Sequence, residues 1–340
     1  MINKLLGHGI LLGALVSTNA LAIDWSAGDF NFGLTGYGTV GVFEPDFEKP
    51  DFLGDFRVRA QLSYDGLKSN TFGAVYMIDE DAVHEDDYYH DAFAFWHLHD
   101  VMRVEVGFTD SVAHKLGLGL PDAGGLRINH ESFVYRKMGA NGPVVADPCI
   151  TNGTDALRLN IVSAAHKNVQ YGVSVAGMTD EYNYEVDAGL KLKYSEAKTK
   201  YAFSIGASFM SHPDEFSTDS FTPNTTADWR GQVYSGLNIQ YNSLVFGLTG
   251  RLIYDENPIG IATDGIAAGA GVSYDILKYT LSATYMFSET GIWHQDAQNY
   301  IDHTALASFR YKYSANVDGW MSLGMSRDEP FVAAGIRASF

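Results

Sequence analysis

Apolar and polar residues alternate with a period of two along most of the chain, the pattern of strands with one face in an apolar environment. Over 55–66, one face carries Phe56, Val58, Ala60, Leu62 and Tyr64, and the other carries Arg57, Arg59, Gln61 and Ser63. Over 102–108, Met102, Val104, Val106 and Phe108 oppose Arg103, Glu105 and Gly107. Over 186–194, Val186, Ala188, Leu190, Leu192 and Tyr194 oppose Asp187, Gly189, Lys191 and Lys193. Repeated along the chain, the pattern predicts sixteen strands, centred near residues 36, 60, 75, 95, 105, 159, 172, 189, 205, 235, 248, 270, 283, 308, 322 and 335. The expected class is all-β.

A soluble sandwich would alternate too, so the connections carry the distinction. Short links fall at 65–70, 100, 163–168, 195–198, 242, 275–278 and 314–317. Long ones fall between them at 44–54, 79–90, 110–154, 211–228, 255–264 and 288–302, with 178–183 and 327–330 shorter than that rule requires. Short turns on one side, long loops on the other and an even strand number describe a transmembrane antiparallel β-barrel. Tyr64, Tyr194, Tyr201, Tyr241, Tyr274, Tyr279 and Tyr313 lie on the apolar face beside the short turns, where they would form an interfacial girdle. The chain closes on an alternating strand, 331–340, ending in Phe340, and pairing it with 30–43 would leave no open edge in hydrocarbon.

The stretch 110–154 breaks the pattern. It runs from Asp110 through Pro121-Asp122-Ala123-Gly124-Gly125 and Glu131 to Asp147 and Pro148. A structureless segment this long inside a domain is normally functional. In a wide barrel it is expected to fold into the lumen and narrow it.

Composition narrows the class further. Residues 1–22 carry Lys4, an apolar core and the Ala20-Leu21-Ala22 cleavage pattern of a secretory signal peptide, leaving 23–340 as one barrel domain. Beyond it no apolar run approaches the ~20 residues of a membrane-spanning helix. The whole chain has 23 basic and 41 acidic residues; removal of Lys4 leaves 22 against 41, a formal charge of -19. That balance excludes a nucleic-acid binder, which needs clustered Lys and Arg. The single cysteine, Cys149, excludes an internal disulfide.

The chemistry expected of such a barrel is that of a pore. Arg57, Arg59, Arg103 and Arg158 share a face with small or polar neighbours and should point inward, opposite Asp110, Asp122, Glu131 and Asp147 of the long loop. Opposed charges across a constriction would orient polar solutes and disfavour apolar ones; equally, the arginines could pair with loop carboxylates and hold the loop to the wall. Five other long loops (44–55, 79–91, 211–228, 255–264 and 288–302) hold 22 carboxylates and one base, Lys49. This rim should give the channel a modest cation preference. The acidic run 79–91 has ligands that suit Ca²⁺ or Mg²⁺ but not the spacing of a calcium loop, and reads as a solvated loop. His97 and His99 share a strand face without a third ligand, so no metal or other cofactor is expected. No G-x-S-x-G or other nucleophile constellation stands out, so an enzyme is not expected.

With its signal sequence, sixteen strands, C-terminal Phe340 and the Pro121-Asp122-Ala123-Gly124-Gly125 run after the fifth strand, the chain resembles the Gram-negative general porins. The run is similar to the Pro-Glu-Phe-Gly-Gly of that family's inward-folded third loop, with Ala123 in place of the aromatic. The resemblance covers essentially the whole chain in architecture, but its local motif is short. It implies an outer-membrane homotrimer, surrounded by bilayer lipid and lipopolysaccharide, that passes ions and small hydrophilic solutes by passive diffusion, with Phe340 as an assembly signal. The alternatives are a substrate-selective porin, an outer-membrane hydrolase or a plugged structural barrel.

Overall fold

The computed structural model describes residues 23–45, 51–66, 70–80, 88–98, 100–121, 156–166, 168–178, 184–211, 229–256, 265–290, 300–326 and 329–340. The expected signal peptide, Cys149, His99 and the centre of the acidic run at 81–87 lie outside them.

Seventeen strands form one antiparallel sheet. In chain order they are β1 (Ile23–Ala27), β2 (Phe30–Pro45), β3 (Asp51–Asp65), β4 (Asn70–Glu80), β5 (Tyr88–Leu98) and β6 (Met102–Phe108). They continue as β7 (Ala156–Ser163), β8 (Val169–Met178), β9 (Tyr184–Glu196), β10 (Thr199–Ser211), β11 (Trp229–Tyr241) and β12 (Leu244–Glu256). The last five are β13 (Gly265–Ile276), β14 (Tyr279–Thr290), β15 (Tyr300–Lys312), β16 (Val317–Ser326) and β17 (Glu329–Ser339). Each strand from β2 to β17 pairs with the next, and β17 pairs with β2, so sixteen strands close into a barrel.

The extra strand, β1, was not expected from the sequence. It pairs with β2 from Ile23↔Leu34 to Ala27↔Phe30, on the same edge of β2 that β17 occupies from Pro45 to Tyr37. The two segments therefore lie end to end along one neighbour. Backbone bonds between Phe340 and Gly36, 2.9 and 2.8 Å, carry the ladder to its last residue.

The alternation sorts side chains as the period requires. Along β7, Leu157 is 54% exposed and Arg158 0%, one on each side of the wall. Outward positions are apolar and open; inward ones carry Ser, Thr, Gly, Asn, Gln and most of the charges. The seven tyrosines of the expected girdle all face outward and are exposed. Phe30 lies 5.0 Å from Tyr64, and Tyr311 stands 5.1 Å from Tyr279 and 4.8 Å from Tyr313. A second belt runs near the long loops, through Tyr184, Phe209, Trp229 and Tyr254 with successive centroids 6.3, 5.7 and 5.1 Å apart. In the same belt Tyr76 and Tyr285 bond the Nδ1 atoms of His90 and His303 at 3.0 and 2.6 Å. Tyr184 and Tyr194 mark the two belts on β9 and stand ten residues apart. At ~3.3 Å per residue and a tilt of ~40°, that separates the belts by ~25 Å, the height of a bilayer's apolar band. No helix among the described residues is long and apolar enough to cross a membrane; the strands do so.

At the short turns, Ala197, Asn242 and Leu277 take φ of 49°, 52° and 58°. This left-handed region gives hairpin turns the twist of the flanking strands.

The ladder's last two backbone bonds and the Phe340 ring, which lies over Gly36 where an added Cβ would come within 2.7 Å of it, tie the chain's end to β2. Deleting Phe340 should reduce the yield of heat-modifiable barrel in membrane fractions. Normal yield from the deletion would show that closure does not need it.

Candidate functional site

Behind β6 the chain turns into the barrel. Ser111 caps a short helix, α1 (Val112–Leu116), by accepting from His114 N at 3.1 Å, and Gly117 N ends it on Ala113 O and His114 O. The last turn carries His114 and Lys115, the charge that suits a helix C-terminus. Val112, Ala113 and Leu116 are buried against β7–β10. The described part of the long loop is therefore inside the barrel, as expected for a constriction loop.

Glycines on the wall make its seat. A Cβ added at Gly172 would meet Val112 at 2.9 Å, and one at Gly236 would meet Leu118 O at 2.6 Å. At Gly269 it would meet Leu120 at 2.9 Å, and at Gly247 it would meet Pro121 at 2.5 Å. At these positions on β8, β11, β12 and β13 the inner wall carries no side chain, and that lets the loop lie close to the sheet. Polar side chains between the glycines fix the register. Ser204 Oγ accepts from Leu118 N at 3.0 Å, Asn238 Nδ2 donates to Gly119 O at 3.1 Å, and Tyr234 Oη donates to Ala113 O at 2.6 Å.

Two buried charge clusters pin the loop's first turn. Asp187 Oδ1 accepts from Ala113 N at 2.8 Å, and its other oxygen bonds Arg158 Nη1 at 2.9 Å and the Ser174 hydroxyl. Arg158 also gives Nη2 to Glu185 at 2.8 Å and Nη1 to Ser174 at 3.0 Å. Next to this, Glu105 holds Lys115 of the loop, Arg103 Nε at 2.8 Å and Asn160 Nδ2 at 3.0 Å. Asn160 Nδ2 reaches Asp110 O as well, at 2.9 Å, and Lys115 Nζ donates to Thr109 at 2.7 Å.

In the described part of the loop, 110–121, the docking has a polarity other than the pairing of wall arginines with loop carboxylates. The wall supplies the carboxylates, Glu105 and Asp187, and the loop supplies the donors, Lys115 and Ala113 N. Arg158 faces inward but is fully enclosed, bound to acids of its own wall; it does not line open water. Arg103 is half-buried, lies 4.2 Å over the Phe95 ring and shares Glu105 with the loop. Arg57 and Arg59 face the lumen from β3; Arg59 donates to Gln61 at 3.1 Å and lies within electrostatic reach of Arg57, Arg103, Glu105 and Asp91. Asp110 stands 3.8 Å from His114 within the loop itself. Asp122, Gly124, Gly125, Glu131 and Asp147 lie outside the described residues, and Pro121, the last described residue of its motif, is buried on Gly247 and Gly271.

Other inward residues were not singled out from the sequence. Arg310 on β15 donates to Thr280 at 3.2 Å, Arg337 lies 4.9 Å over the Tyr37 ring, and β9 and β10 send Lys191, Lys193 and Lys200 inward. Their signal was the same alternation that singled out Arg57 and Arg59. Gln232, Thr249, Ser282 and Thr284 are buried with side-chain polar atoms that find no partner among the described residues, on a face where water is the natural partner. Among the described residues no group of three His, Cys, Asp or Glu converges to hold a metal.

Comparison with protein-family models and with the curated proteins found no match. Solved structures of the same fold were found. One is OmpT, an outer membrane protein of Vibrio cholerae, folded in vitro and in trimer form, with 11% identity and a TM-score of 0.68 over 92% of this chain and 99% of that one. A porin refined at 1.8 Å has 13% identity and a TM-score of 0.65 over 91% of this chain and all of its own. A mutant of Rh. blastica porin has 13% identity and a TM-score of 0.55 over the same 91%. The fold is that of outer-membrane β-barrels.

The buried cluster yields a test of how the loop is held. Arg158→Met strands Glu185 and Asp187 without their cation and should cost about 3–5 kcal/mol. Adding Glu185→Gln and Asp187→Asn removes the stranded charges and should recover most of that. Urea unfolding of the refolded barrels in detergent measures both; equal losses in the two variants would mean that Arg158 acts through packing alone.

Proposed function

We propose that this protein is an outer-membrane channel through which ions and small hydrophilic solutes diffuse passively. The observation that carries this reading is a closed sixteen-strand wall, apolar outside and polar inside, with residues 111–121 laid against one side of the lumen. A barrel of this strand number is wide enough to hold water. The loop's seating on β7–β13 narrows that lumen, which supports a sized pore over a plugged one. Export by the signal sequence at 1–22 and residence in the outer membrane belong to the same reading. A channel rather than a hydrolase is favoured because the inner clusters pair cations with carboxylates and backbone and spend those groups on holding the loop.

A homotrimer is part of the proposal. OmpT of Vibrio cholerae has a trimer form, and the outward face of β2–β5 carries Gly38, Ala60, Ala74, Ala92 and Ala94, small residues that let walls approach closely. An unheated gel should run at three times the monomer mass; a monomer by light scattering in mild detergent would overturn it.

Single-channel recording tests the reading as a whole. The wild type should give steady, large openings. Removing 116–142 should raise conductance and the polymer size excluded while the barrel still folds. Unchanged conductance in a folded deletion would place the loop outside the path.

Charge gives a separate expectation. Fixed acids at the long-loop rim act over a Debye length of ~8 Å at physiological salt and ~30 Å at 0.01 M, whereas the inward arginines oppose them at the constriction. Reversal potentials should therefore report modest cation preference that strengthens as KCl is diluted. Anion preference persisting at low salt would mean that the basic inner wall governs.

A further inference from the structure

Below the docked loop, toward the short turns, the inner wall holds a group of amines with no acidic partner among the described residues. β9 directs Lys191 and Lys193 inward and β10 directs Lys200; between the loop and the short turns their inward neighbours on β8–β11 are Ser, Ala, Gly, Asn and Gln. The register brings them together. Lys191 stands between Gln170 of β8 and Ser204 of β10, and Lys193 is opposite Ala202. Lys200 stands between Ser195 of β9 and Gln240 of β11. Lys191 and Lys193 are two residues apart on one strand, ~7 Å, and Lys193 and Lys200 are diagonal neighbours at ~7–8 Å. The loop roofs this patch, because Ser204, beside Lys191, is the residue that holds Leu118 N, and Asn238, opposite Ala202, is the one that holds Gly119 O.

No acid among the described residues pairs with them. Among the described residues, the inward positions of β8–β12 from the loop down to the short turns include no Asp or Glu, and no ion pair involves any of the three lysines. The nearest carboxylates along β9 are already spoken for or face away. Asp187 lies on the other side of the loop with Arg158, and Glu196 has the outward parity of Tyr194, whose hydroxyl it accepts at 3.5 Å. The Asn238 side-chain oxygen is buried without a partner in the same patch. Three ammonium groups on neighbouring positions ~7–8 Å apart repel unless a counter-charge joins them. Low-dielectric walls around a narrow aqueous space concentrate their field. The ammonium of lysine is a compact point charge that serves phosphate well, and amides can donate beside it.

We propose that Lys191, Lys193 and Lys200, flanked by Gln170 and Gln240, form a binding site inside the lumen for a small polyvalent oxyanion, the phosphate group of inorganic phosphate or of a phosphate monoester. The site rests on the channel reading for its role, which is to hold phosphate-bearing solutes at the mouth opposite the acidic rim. Monovalent anions engage it weakly because they satisfy one ammonium at a time.

Inorganic phosphate is the probe. Added on the short-turn side of channels in a planar bilayer in KCl, it should reduce the current saturably, and more strongly than from the long-loop side. Lys191→Gln with Lys193→Gln should raise the half-blocking concentration about tenfold or more, whereas Lys191→Arg with Lys193→Arg should keep the block. Line broadening of the phosphate ³¹P resonance by the detergent-solubilised trimer gives a second readout that needs no conduction. Broadening lost in the Gln pair, from a wild type that does not conduct, would sink the channel reading and leave the site standing. Steady conduction with neither block nor broadening, or with block unchanged in the Gln pair, would overturn the site and leave the channel. Should the Gln pair fail to give a heat-modifiable barrel, Lys193→Gln with Lys200→Gln, both at exposed positions, carries the same expectation.

Discussion

A strand in hydrocarbon has no water to satisfy its backbone, so every N–H and C=O of the wall must bond to a neighbouring strand. That requirement shapes the rest of this molecule. The sheet closes on itself, with β17 returning to β2, and the ladder is continued to its final residue by the Phe340–Gly36 pair and then by β1. Once the ring is closed, the period of two leaves each residue only two places to go, lipid or lumen. Charged residues along the strands collect inside because the other side is closed to them.

Charges collected in this way must find company. Arg158, Glu185 and Asp187 are enclosed, and an isolated ion there would be costly. They are tolerable because each answers another, and one of the carboxylates has a spare lone pair for Ala113 N. The loop is thus held by the wall's own means of neutralising itself. Glu105 serves in the same double capacity, satisfying Arg103 on the wall and Lys115 on the loop. Tyr234 adds a third case: its ring covers Gly206, its register partner, and its hydroxyl reaches Ala113 O, so covering bare backbone and binding the loop are one act.

Much of the wall could be read from the sequence because its cause is local. Alternation in β7 or β9 needs only neighbouring residues, and sixteen such segments with unequal links leave few architectures. β1 escaped because its alternation, Ile23, Trp25 and Ala27 against Asp24 and Ser26, lasts only five residues; its pairing comes from β2. α1 left a faint trace, a capping Ser111 before Val112, Ala113 and Leu116, submerged in a run of glycines. The outer belt was hidden in part because His90 and His303 do not look like interfacial residues until a tyrosine is found beside each. The partnership of Arg158 with Glu185 and Asp187 was out of reach. Period two places all three inside, but which residues lie together at which height is set by register across two strand pairs, β7–β8 and β8–β9. The glycine seat was obscured for the same reason: Gly172, Gly236, Gly247 and Gly269 are unremarkable one at a time, and they form a track only when the strands are laid side by side.

In the channel proposed above, residues 112–121 on that track would make the free lumen eccentric. A segment lying flush on β8–β13 would take that arc of the perimeter out of contact with a passing solute at its own height and leave the solute the opposite arc, β14 to β4. There Arg310, Arg337, Arg57 and Arg59 line a crescent instead of a ring. Side chains on one half of the circumference would then meet the solute directly at that height, while those covered by the loop, Arg158 and Asp187 among them, would act on it only by holding the loop.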